Sequence, residues 1–497
     1  MSRVSVSLTE GLITLCALAG LGLLVGLGER LRARGVAPAA TRRIVHVGVG
    51  LFVATTPMLF ARPLPVYVLA VVFTGLNAAA RRRDWWAGMH AARPHSWGTV
   101  ALPLSLVPAL MATWSISPDR LFAFQGAYLV LALADPAASW VGERRSQGDA
   151  ASSGATVRGS LTFLGLTFGL LLLVLGGLIP WSTGRIVGGA GVAAVVATGV
   201  EAVSRRGWDN LFVPVSVLLV LVPLHEAALG VLGAAGALGV GAGIGGVAYW
   251  AGALTRDGAV TAGLFAASLV ALGGMAWVVP GLVFFGLSSA LTPARRLWRQ
   301  DATDSVSPRR TPVQVLANGG GAWAALAVVA LAPAETAAVT AGGYAAFVGA
   351  LAAAAADTWA TEVGTLSASA PRSLRTGRAV PPGTSGAVSV LGTGAASVGA
   401  ASVAGAALLA GGAVTGAPAW EFGLYVGTGL VGMGADGLAG AFLQAQYRTA
   451  AGAWAETPPS SGSRPARGWA AVGNNAVNLV GTTLGGGCAL VGILLMG

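Results

Sequence analysis

The stretch LTEGLITLCALAGLGLLVGLGERLRARGVAPAATRR, residues 8–43, decides the fold. Its apolar run, 8–27, has the roughly 20 residues that a helix needs to cross a bilayer. One arginine, Arg3, precedes the run, and Arg30, Arg32, Arg34, Arg42 and Arg43 follow it. A cleavable secretory signal carries its positive charge before the apolar core, the reverse of this order. Basic residues stay on the cytoplasmic side, so the run predicts a retained first helix with its N-terminus outside.

The rest of the chain repeats that pattern. Hydrophobic residues make up 55% of the 497 positions, charged residues only 10%, and the mean hydropathy is +0.72. A soluble domain carries about 25% charged residues, so these values exclude soluble globular folding. The 75 glycines follow no collagen-like period; small residues at that density suit close helix packing in lipid. The chain has no lysine, so all 30 basic residues are arginines. A net charge of +11 could suggest nucleic acid, but in a membrane protein arginine clusters set topology and meet anionic head groups, and no nucleic-acid partner is expected. Cys16 and Cys488 lie in separate apolar runs with no disulfide or zinc spacing.

Apolar runs fall at 8–28, 44–61, 64–80, 99–116, 121–142, 160–179, 186–200, 211–224, 229–250, 259–276, 278–293, 314–333, 338–357, 386–411, 421–444 and 470–496. They predict an all-α, polytopic transmembrane bundle of about 14–16 spans. Threading them from an outside N-terminus puts 26 of the 30 arginines in cytoplasmic loops, leaving Arg3, Arg62, Arg120 and Arg185 outside. A mis-threaded order would scatter them. Both termini are then outside, in what is expected to be a bacterial inner membrane. The featureless segment 231–246 divides two modules, 1–230 and 231–497, with no sequence copy of one in the other.

Ionisable residues near a span are costly and need a reason. In the first module they are Arg42, Arg43 and His46 at the start of the second span, Asp135 near the end of the fifth, Arg158-Gly159-Ser160 before the sixth, and Glu201, Asp209 and Asn210 around the seventh loop. In the second they are Arg310 and Asn318, Asp357 and Glu362, the stretch Gly383-Thr384-Ser385-Gly386, Asp436, and Asn478. The threading gathers all of them on the cytoplasmic face. Carboxylates bind Mg2+ through oxygen, while arginines and exposed backbone N–H groups bind phosphate. Together they suit phosphoryl transfer from a nucleotide, which depends on positioning and charge neutralisation. Stretch 383–386 reads as a phosphate nest opening a helix. A Walker A loop needs lysine, and no His-Glu-x-x-His site occurs. Structural roles compete: His46 as a packed histidine, Asp135 and Asp209 as helix caps, the asparagines as interhelical bonds.

Residues 40–225 resemble the phytol kinase and dolichol kinase family through RRIVHVGVG, PHSWGTVALPL, LADPAASWVGER, RGSLTF and EAVSRRGWDNLFVP. Residues 235–497 resemble the membrane family that contains phytyl-phosphate kinase, through FFGLSSALT, RTPVQVLANGG, ADTWATEVG, VPPGTSGAVSVLGT, ADGLAGAFLQ and NNAVNLV. The resemblance implies a bifunctional kinase that converts a prenyl alcohol such as phytol or geranylgeraniol to its monophosphate and diphosphate with CTP and Mg2+. It implies Asp135, Glu201 and Asp209 as catalytic in the first module and Asp357, Glu362 and Asp436 in the second. Asp135, Asp209, Asp357 and Asp436 are the metal ligands it implies, with the arginines, His46, the asparagines and the glycine-hydroxyl stretches on phosphate. The first family has a Lys-Ser-x-Glu-Gly-Ser-like stretch where this chain has Ala155 to Ser160, so either Arg158 supplies the charge from a shifted position or the first module is catalytically weakened. The Asp-Ser pair of the second family is Asp436-Gly437 here. A membrane cytidylyltransferase acting on a lipid phosphate and a transporter using the carboxylates are the alternatives.

Overall fold

Most apolar runs of the sequence become one helix; run 259–276 is shared by two helices and a π-helical turn at Leu269–Gly273, and run 386–411 opens with a short strand. A computed structural model describes residues 8–82, 96–143, 156–298, 309–332, 337–448, 454–456 and 463–496. Among them are sixteen α-helices. They are α1 (Leu8–Ala33), α2 (Pro38–Leu59), α3 (Leu64–Arg82), α4 (Gly98–Ala112), α5 (Leu121–Glu143), α6 (Val157–Leu178), α7 (Thr183–Val203) and α8 (Asp209–His225). Then come α9 (Val231–Trp250), α10 (Arg256–Ser268), α11 (Met275–Trp298), α12 (Pro312–Leu331), α13 (Ala337–Gly364), α14 (Val390–Gly411), α15 (Pro418–Phe442) and α16 (Asn474–Leu494). Among the described residues, nine helices are long and apolar enough to span a membrane: α1, α5, α6, α7, α9, α12, α13, α14 and α16. Helices α3, α4, α8 and α11 hold shorter apolar stretches. Strands β1 (Arg372–Ser373) and β2 (Ala387–Val388) pair antiparallel, as do β3 (Tyr447–Arg448) and β4 (Trp454–Ala455). The molecule is an all-α polytopic membrane protein. Arg3, Arg83, Arg93, Arg144, Arg145 and Arg299, part of the loop-charge argument, lie outside the described residues.

The chain packs as two units, residues 1–235 and 236–497, and the division falls inside α9. In the first unit α5 is central, with 67% of its apolar span buried. It packs against α2, α6 and α8. Small residues let the backbones close in: a Cβ at Gly50 of α2 would stand 2.6 Å from the Ala132 Cβ of α5. One end of this unit is tied by polar bonds. Arg120, 3% exposed, pairs with Glu226 at 2.9 Å and donates to the Ala112 carbonyl at 3.1 Å. Arg185 donates to the Leu224 carbonyl and lies 4.5 Å over the Trp181 ring.

In the second unit α13 is central, again with 67% of its span buried, among α11, α12, α14, α15 and α16. Its run Ala350 to Ala356 is almost wholly alanine, and glycines of neighbouring helices meet it. A Cβ at Gly432 would fall 2.5 Å from Ala353, and one at Gly485 would fall 2.7 Å from it. Such contact leaves little room for side chains, so packing rests on dispersion between backbones. Glu421, fully buried at the start of α15, accepts bonds from the Val414 and Thr415 amides, the Thr415 hydroxyl and Tyr425.

Candidate functional site

In the first unit the polar residues meet where α2, α4, α6 and α8 begin and α3 and α5 end. His46 Nε2 donates to the Leu131 carbonyl at 2.9 Å. A carbonyl only accepts, so that nitrogen carries the proton. The same nitrogen lies 3.6 Å from Asp135 Oδ2, one turn along α5. Arg43 forms an ion pair with Glu143 at the end of α5, which commits its guanidinium to holding the two helices. Asp135, Arg42 and His46 all act electrostatically on Asp209, so these four groups form one cluster.

Backbone geometry holds Asp209 and Asn210 in place. The Asn210 amide nitrogen Nδ2 donates to the Gly98 carbonyl at 2.9 Å, and Trp97 N–H donates to Arg206. Gly207 turns the chain with φ +86°, and a Cβ there would be 2.3 Å from the Gly98 nitrogen. Only glycine permits that latch. Glu201 is half-buried on α7 and is not among the groups acting on Asp209. The Gly159 N–H is taken by its own cap, Thr156 Oγ1, at 3.1 Å, and Gly159 packs against the Ala138 carbonyl. Arg158 and Ser160 stand beside it on the first turn of α6, Arg158 exposed.

An apolar slot opens from this cluster between α1, α2, α3 and α4, enclosing about 1040 Å3, its mouth included. Its polar end is made by Arg42, His46, Asn77 and Asn210. Asn77, whose Nδ2 donates to the Thr99 carbonyl at 2.9 Å, escaped sequence reading. A lone asparagine in an apolar run was the available signal.

The second unit gathers its polar residues where α10, α12, α14 and α16 begin and α13 and α15 end. The carboxylates of Asp357 and Asp436 lie within hydrogen-bonding reach of each other. Two bare anions so close repel strongly, which makes the space between them favourable for a proton or a cation. Asn478 bonds Asn318 at 3.0 Å. With its amide turned nitrogen-inward, it donates to Asp436 Oδ2 at 3.1 Å and to the Asn474 carbonyl at 2.9 Å. In that orientation the Asn478 oxygen faces Asn318, whose amide must also turn to donate to it; with both turned, a polar chain Asn318–Asn478–Asp436–Asp357 crosses four helices.

Arg310 is anchored by its backbone, with its N–H on Ala253 and its carbonyl accepting from Thr255, both at 3.0 Å. Burial lowers its pKa and the nearby Glu362 carboxylate opposes that shift. Arg310, Gln314 and Asn318 form the polar end of a second apolar pocket, between α9, α10, α11 and α12, of about 770 Å3 with the open space at its mouth included.

Stretch 383–386 divides in two. Ser385 Oγ donates to Gln444 Oε1 at 2.7 Å, and Gly386, φ +71°, presses on Ala441 of α15 where a Cβ would come within 2.6 Å. Gly383 and Thr384 form a turn in which the Thr384 hydroxyl is spent on the Pro381 carbonyl at 2.7 Å. The expected helix does not open on this stretch; α14 starts at Val390, capped by Ser389. Glu456 and Gln444, also missed from sequence, stand close by: Glu456 acts on Asp436 and lies against Gln444.

Among the described residues no three His, Cys, Asp or Glu side chains are grouped to hold a metal by themselves. Mg2+ commonly uses only one or two carboxylates and completes its shell with phosphate and water. The Asp357–Asp436 pair fits that demand, and Asp135 with Asp209 offers two carboxylates in the first unit.

Residues 239–486 match the family described as integral membrane protein DUF92. The phytol kinase of Synechocystis sp. is 31% identical over 215 residues, an alignment that spans 40% of this chain and 86% of that protein. No solved structure matches the chain. By its likeness to an enzyme covered over most of its length, the chain belongs to the phytol kinase-like family of integral membrane proteins.

Proposed function

We propose that the protein is a bifunctional membrane isoprenoid kinase, with prenyl alcohol phosphorylated in the first unit and prenyl monophosphate in the second. The observation that carries this reading recurs in both units: an apolar pocket ends on cations and amides, Arg42, His46, Asn77 and Asn210 in the first and Arg310, Gln314 and Asn318 in the second, with the carboxylates standing next to these groups rather than in the pocket wall. Such a site suits a molecule with a long hydrocarbon tail and a reacting polar head. The likeness to a phytol kinase supplies the isoprenoid class. A nucleoside triphosphate, with CTP the preferred donor, arrives from the cytosol at the arginine-bearing end.

The two steps ask different things of the residues. In the first, the alcohol oxygen attacks the γ-phosphorus, an O–P bond forms, and the bond to the β,γ-bridging oxygen breaks to release nucleoside diphosphate. The hydroxyl proton must go to a base. Asp135, in the cluster with Asp209 and His46, accepts it and passes it to water, while Arg42 and Arg158 hold the phosphates. In the second step the nucleophile is a phosphate oxygen already ionised, so no base is needed and charge neutralisation dominates. Arg310 and the Asn318–Asn478 amides hold the lipid phosphate, and Ser385 and Gly386 orient the donor. Asp135 and Asp209, and Asp357 and Asp436, would hold Mg2+. When bound, the cation offsets the charge on the nucleotide phosphates.

Purified protein in lipid nanodiscs, given phytol, CTP and Mg2+, should yield phytyl diphosphate, and EDTA should stop it. Release of pyrophosphate with a CDP-lipid product would identify a cytidylyltransferase instead. No phosphorylated lipid from CTP, ATP, GTP or UTP would overturn the reading.

A further inference from the structure

We propose that the apolar slot of the first unit is a ruler for the isoprenoid chain, with Val53 and Val66 setting its far end. This rests on the reading of that unit as a prenyl alcohol kinase. The slot has direction. On α2 its lining recurs at Arg42, Val45, Val49, Phe52 and Thr56, one helical face. On α3 it runs the other way, from Val66 to Asn77. The Asn77 bond to Thr99 fixes the polar end of α3 beside the start of α4. The fourteen steps from Arg42 to Thr56, at 1.5 Å rise each, give a depth of about 21 Å.

Among the described residues that line the slot, nothing polar competes with the head cluster along that depth. Thr56 is the one polar residue at the far end, and its hydroxyl is spent on the Val53 carbonyl at 2.7 Å. A linear alcohol can therefore seat its oxygen only at the Arg42–His46 end and must lay its tail toward Val53 and Val66. Both valines are buried, at 4% and 1% exposure, so the wall there is fixed rather than yielding. Chain length is then read by whether the terminal isoprene unit fits.

The test compares geraniol, farnesol and geranylgeraniol as substrates for the full-length protein. Val53→Phe places a ring across the slot, and Val66→Leu is a mild filling that folding should tolerate. Both should keep geraniol and farnesol phosphorylation and lower kcat/KM for geranylgeraniol, by about tenfold or more for Val53→Phe. An unchanged chain-length profile in both variants would overturn the ruler and leave the kinase reading intact. Equal loss for all three alcohols in both variants would also overturn it, by showing that these residues serve the fold alone. Should the parent protein phosphorylate no prenyl alcohol of any length, the kinase reading itself fails.

Discussion

At the scale of single residues, the aspartates carry the sharpest expectations. Asp135→Asn should abolish monophosphate formation while leaving added prenyl monophosphate convertible to diphosphate. Asp357→Asn and Asp436→Asn should do the reverse and accumulate monophosphate. Losses of about a hundredfold or more are expected, as for groups that neutralise transition-state charge, and product analysis by mass spectrometry reads them. If both classes of variant matched the parent, the assignment of these carboxylates would fail. Arg310→Gln should raise KM for prenyl monophosphate about tenfold or more with a smaller change in kcat, and Arg310→Lys should restore only part, since lysine lacks the planar fork. Steady-state kinetics on the second step alone would decide this. Asp357 and Asp436 could be singled out from sequence because a carboxylate in an apolar run is costly. That they face each other, and that Asn478 stands between Asn318 and Asp436, could not: the partners are separated by dozens of residues.

At the scale of elements, two glycine turns and one ion pair deserve separate tests. Gly207→Ala forces an alanine to φ +86° against the Gly98 backbone, costing about 1–3 kcal/mol. Melting should fall, and first-step activity should fall with it because the latch holds Asp209 and Asn210. Gly386→Ala should act likewise on the second step alone. At the other end of the first unit, Arg120→Ala removes the partner of Glu226 and a bond to Ala112. The loss should be about 3 kcal/mol, the low side for a buried pair because Glu226 is 43% exposed at its side chain. Catalysis in the fraction that remains folded should be unchanged. This ion pair also explains why Arg120 sits outside the arginine-rich loops: it ties α5 to the end of α8 rather than directing insertion. Arg185, hydrogen-bonded to the Leu224 carbonyl, does the same for α7.

At the scale of the whole molecule, the threading makes a topology testable. In a background with Cys16 and Cys488 replaced by serine, a cysteine at Arg375 should react with impermeant maleimide only in inside-out vesicles. One at Arg62 should react only in right-side-out cells. Labelling of both from the same side would overturn the proposed orientation and the placing of both sites on the cytoplasmic face.

The sequence by itself determined that this is an all-α membrane protein, and nearly all of its apolar runs became single helices. Hydrophobic length and arginine asymmetry are local properties, governed by the bilayer as solvent, so they can be read without knowing what touches what. Local reading also found most of the costly polar residues. Only the tertiary structure decided which of them lie together: it drew Arg42, His46, Asp135 and Asp209 into one cluster. It spent the Gly159 N–H on a helix cap, broke stretch 383–386 into two parts, and opened the apolar slots. Those outcomes depend on backbones approaching through glycine and alanine contacts between distant segments, and no spacing along the chain encodes such an approach.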